Sequence, residues 1–144
     1  MIRLSNSAKR TPVPFVEHKR VALRAYTALA EMCNGTARRE EWLDLADSVN
    51  VVEALRAIGK IDHDDVDVAV QSAIDGLMVA IKCPDGMMRM GQAATYAMRQ
   101  LVTWHDEAIG KLSRGTMFEA LDLVHQRIHD PNGCQANGLF VAKV

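Results

Sequence analysis

His63-Asp64 and His105-Asp106 are histidine-carboxylate neighbours, and His18 stands upstream of both. Imidazole with carboxylate is the ligand set of zinc, manganese or iron, and such a centre can activate water for hydrolysis. The order His18, His63-Asp64, Asp106 loosely follows the H…HD…D series of metal-dependent phosphohydrolases of the HD type. One expectation is therefore a metal-dependent hydrolase built on His18, His63, Asp64, His105 and Asp106. A purely structural use competes with it. Asp64 suits the first turn of a helix, His105 falls mid-stripe as a buried imidazole, and His63 falls exposed near a helix start.

His125-x-x-x-His129 offers a second metal candidate, because i, i+4 spacing places two imidazoles on one helical face with Asp130 and Cys134 downstream. No glutamate stands beside His125 as a metalloprotease needs, and a solvated pair near a helix C-terminus explains it equally well. Cys33, Cys83 and Cys134 form no C-x-x-C pair, so neither a zinc ribbon nor a disulfide framework is indicated. Met87, Met88 and Met90 read either as adaptable packing or as a soft partner-binding surface. Lys9, Arg10, Lys19, Arg20 and Arg24 make the N-terminal region locally basic, yet Glu17 and Glu31 interrupt them, as on a solvated helix face.

These side chains must be positioned by helices. The stretch from Thr36 to Gly59 carries Trp42, Leu45, Val49 and Val52 at helical spacing, with Val51, Leu55 and Ile58 opening a second apolar face. A helix apolar on two sides needs neighbours on two sides, which makes this one central. Thr36 reads as its N-cap and Gly59 as its C-terminal stop. Within it, Arg56 one turn from Glu53 predicts an ion pair, and Asn50 amid valines predicts a register-fixing amide.

A first helix spans about Phe15 to Asn34, with His18, Ala22, Ala25, Tyr26, Leu29, Met32 and Cys33 on one face and Gly35 closing it. A third starts behind Asp62 and runs to about Cys83, ending at Pro84-Asp85-Gly86, with Gly76 permitting a close helix contact. The fourth is marked by Ala94, Ala97, Met98, Leu101, Trp104, His105, Ala108 and Leu112. Thr116-x-x-Glu119 has the capping-box form that opens a shorter fifth helix ending at Asp130-Pro131.

The fold expectation is all-α: an antiparallel up-and-down bundle of four long helices plus a shorter fifth, with extended N- and C-terminal arms. Residues 1–14 form the N-terminal arm, 15–130 a single helical-bundle domain, and 131–144 a C-terminal tail in which Leu139 to Val144 suits a short strand. A chain of 144 residues is one domain, and a net charge of −1 gives no global reason to bind nucleic acid or an anionic membrane. There is no signal-peptide core and no apolar run near the ~18 residues of a membrane span. The expectation is a soluble, cytoplasmic protein. Rossmann, P-loop and G-x-S-x-G motifs are absent from the sequence, so no cofactor is expected.

The phrase LADSVNVVEALRAIG, preceded by a Gly-Thr turn and followed much later by WHDEAIG, resembles a pattern in short helical proteins encoded on phages and integrated mobile elements. The resemblance covers roughly Arg20 to Asp130 and transfers no functional residue. It implies a setting, an accessory gene of a mobile element. The favoured expectation is a non-enzymatic protein acting by protein contact, as a homodimer or with a protein partner, in an accessory, regulatory or host-interference role. Hydrolysis and nucleic-acid binding are the competing classes.

Overall fold

The computed structural model describes residue 10 and residues 12–129. Among them lie five helices and no strand: α1 (Phe15–Asn34), α2 (Arg39–Ala57), α3 (Val66–Ala80), α4 (Gln92–Lys111) and α5 (Arg114–His129). The all-α expectation is met. Of the anticipated N-terminal arm at 1–14, residues 1–9 and 11 lie outside the described residues, as does the whole C-terminal tail at 131–144.

The α2 helix packs against each of the other four. Every residue from Ser48 to Leu55 is buried, as its two apolar faces require, and Trp42, Leu45, Val49, Val52 and Leu55 are completely so. Burying one such side chain fully contributes about 1.5–3 kcal/mol. Trp42 also donates its indole N–H to the Leu77 carbonyl at 2.8 Å, pinning α2 to α3. Where α3 meets α4, Gly76 makes a close approach possible: a Cβ placed there would come within 2.2 Å of the Ala94 Cβ.

Two glycines end helices as their spacing suggests. Gly35 and Gly59 take φ of +72° and +78°. After Gly59, Lys60 N–H reaches the Leu55 carbonyl at 2.8 Å while Gly59 N–H bonds Arg56 at 3.0 Å, a Schellman closure.

The N-terminal caps differ from the sequence expectation. Thr36 does not cap α2; its hydroxyl bonds the Glu31 side chain at 2.5 Å, closing the end of α1 instead. The cap comes from a distant loop, where Asp85 Oδ1 accepts from Arg39 N–H at 2.9 Å. The same loop bonds Met88 N–H to the Ala37 carbonyl at 3.1 Å, an isolated bridge. α3 begins at Val66 rather than behind Asp62, so Asp64 precedes the helix. α5 begins before Thr116: Ser113 Oγ accepts from Thr116 N–H at 3.2 Å and is the true cap.

Two further expectations are corrected by burial. Cys33 is exposed, because the inward arc of α1 runs through Ala25, Ala28, Leu29 and Met32 and leaves Cys33 and Tyr26 outside. Met88 and Met90 fill the core and only Met87 faces solvent, so the three methionines form no common surface. No described helix is long and apolar enough to cross a membrane.

Candidate functional site

Of the five residues grouped for hydrolysis, the fold brings two into direct contact. His18, one turn into α1, donates Nε2–H to Asp106 Oδ1 on α4 at 2.5 Å. Tyr26, two turns further along α1, donates its hydroxyl to Asp106 Oδ2 at 3.5 Å. The carboxylate thus accepts from two points of α1 and fixes its rotation against α4. Gly110 gives the imidazole room, since a Cβ there would lie 3.1 Å from His18 Cε1.

The other three are used differently. His63 stacks on Trp104, with ring centroids 4.8 Å apart and planes 13° from parallel. Asp64 is exposed in the turn before α3. His105, next to Asp106 in sequence, points the opposite way into the protein and is buried. Burial holds its imidazole neutral, with its pKa lowered to about 4; the Asp106 carboxylate pulls the other way and His18 adds to the lowering. Among the described residues no group of three His, Cys, Asp or Glu side chains is placed to hold a metal ion. His125 is exposed; the His129 side chain, Asp130 and Cys134 lie outside the described residues.

No protein-family model matches the chain, and no curated protein or solved structure matches it either. The functional reading therefore rests on the surface and its cavities.

Two features stand out there. On the outer side of α3, Val68 is 71 % exposed, Val79 60 % and Met78 47 %. The helix carries only two charges, Asp67 and Asp75, where a surface helix of its length ordinarily presents a charged outer face. The neighbouring α4 adds the exposed ring of Tyr96. On a different side of the molecule, α1, α2, α4 and α5 line an open cavity of about 450 Å³ that reaches His105, Asp44, Asp47 and Arg24. The surrounding protein raises the Asp44 and Asp47 carboxyls above the ordinary aspartate value, more than Arg24 lowers them, and Asp44 raises Asp47 further.

Sequence reasoning missed Asp44 and Asp47. The signal was available, since they stand three apart on the same helix as the apolar run from Val49 to Leu55. Arg24, read as one cation of a solvated basic face, lines the same cavity and its charge acts on both carboxylates.

Proposed function

We propose that this is a non-enzymatic, cytoplasmic helical protein that acts by protein contact, through self-association as a homodimer, in an accessory, regulatory or host-interference role on a phage or mobile element. The observation that carries the reading is the outer face of α3. Val68, Met78 and Val79 stand exposed on α3, with the hydrogen-bonded Gln71 and Asp75 between them, and apolar side chains exposed together on one helix favour an interaction site. The alternatives on α1, Val16 and Leu23, are interrupted by five charges along that helix, whereas α3 has two.

The face is also stiff. Gly76 locks α3 closely against α4, and Trp42 ties it to α2, so little ordering entropy is lost when a partner docks. The architecture that goes with this reading is an antiparallel up-and-down bundle, supported by the bare Leu112-Ser113 link between α4 and α5 and by the contact of α2 with every other helix. A two-fold dimer would pair α3 with its own copy. A cytoplasmic setting is supported by Cys33 and Cys83, which are both free thiols.

Light scattering on the purified chain tests this. Self-association gives a mass approaching twice 15.9 kDa as concentration rises. A mass that stays at one chain throughout rejects the homodimer.

A further inference from the structure

The cavity between α1, α2, α4 and α5 lies away from α3, and what it implies does not depend on self-association. Its volume of about 450 Å³ falls within the range of small-molecule sites. Val21, Val51, Ile109, Met117 and Val124 make most of its wall apolar. His105, only 6 % exposed, is set into that wall. Its ring makes no hydrogen bond among the described residues, which leaves its nitrogens to face whatever enters the cavity. A neutral imidazole carries one N–H and one bare nitrogen, so it can both donate and accept.

The charged residues around the cavity are unbalanced. Three carboxylates, Glu17, Asp44 and Asp47, stand against two guanidiniums, Arg24 and Arg114. We propose that the cavity binds a small amphiphilic amine, with its apolar body among the valines, its ammonium at Asp44 and Asp47, and a hydroxyl or carbonyl group at His105. A cation there offsets the loss of solvent that, with a smaller push from neighbouring carboxylates, raises both aspartates above their ordinary pKa. An anionic ligand would meet the carboxylate surplus and gain nothing from it. The ligand's hydrogen-bonding group supplies the partner that His105 lacks.

Titration calorimetry with amino-octanol, octylamine and octanoate tests the proposal on the full chain. Saturable one-to-one binding is expected for both amines, with octanoate weaker by about tenfold or more. Asp44→Asn with Asp47→Asn should cost octylamine about tenfold. His105→Leu should abolish the advantage of amino-octanol over octylamine. Val21→Trp fills the cavity from its more exposed wall and should remove binding of both amines, which keeps the test decisive if the His105 variant fails to fold. Absence of amine binding, octanoate binding as tightly as octylamine, or undiminished amine binding by Val21→Trp overturns the assignment.

Discussion

Asp106 on α4 accepts from His18 Nε2 at 2.5 Å and from the Tyr26 hydroxyl at 3.5 Å, so one carboxylate holds two successive stretches of α1. Both contacts are partly solvated, which limits their worth. Asp106→Ala is expected to lower stability by about 1 kcal/mol, and to speed amide exchange selectively in the first turns of α1. Denaturant melts and hydrogen exchange check this. Exchange that rises evenly over all helices would contradict the local tie.

His105 makes stability depend on pH. Its folded pKa is about 4 against 6.5 for a free imidazole, so between those values the unfolded chain binds more protons than the folded one. Its contribution is complete above pH 6.5 and is lost as pH falls toward 4, about 3 kcal/mol in all. The raised carboxyls of Asp44 and Asp47 act in the other sense, favouring the folded state at the acid end. Comparing melts of the wild type and His105→Leu across this range isolates the imidazole. The variant should lose most of the decline between pH 6.5 and 5, and an unchanged decline contradicts the assignment.

Asn50 is buried in α2 and neither polar atom of its amide has a hydrogen-bond partner among the described residues. Leucine has nearly the same shape without the desolvation cost. Asn50→Leu should therefore stabilise the fold by about 1–3 kcal/mol, read as a higher urea midpoint with an unchanged slope. A lower midpoint would show that the amide earns its place.

Glu53 is buried and both its oxygens accept from Arg56, which also approaches Asp67 at 3.3 Å. Removing the guanidinium leaves a buried carboxylate alone. Arg56→Ala should cost about 3 kcal/mol, whereas Arg56→Ala combined with Glu53→Leu should recover part of it. A single variant as stable as the wild type would mean that Glu53 is satisfied otherwise.

What the sequence made legible was local. The central place of α2 followed from two apolar faces meeting on one helix, and the stops at Gly35, Gly59 and Gly86 followed from the one residue that takes positive φ freely. The Arg56-Glu53 pair and the tight seat of Gly76 were likewise visible from spacing and size. What escaped depends on chain segments far apart. The cap of α2 comes from Asp85, on the loop after α3. His63 is held by Trp104, and the cavity around His105 exists only where four helices converge. The histidine grouping failed for the same reason: His105 and Asp106 are neighbours in sequence, yet one turns inward and the other toward α1.

The central claim is that α3, and no other exposed apolar surface, carries the contact. Sedimentation velocity on Val68→Glu with Val79→Glu, beside Leu23→Glu on α1 as the control, measures this directly. The expected result is a single chain of 15.9 kDa for the α3 variant and an undisturbed dimer for the control. Dimers that survive both charges on α3, or that dissociate with Leu23→Glu instead, contradict it.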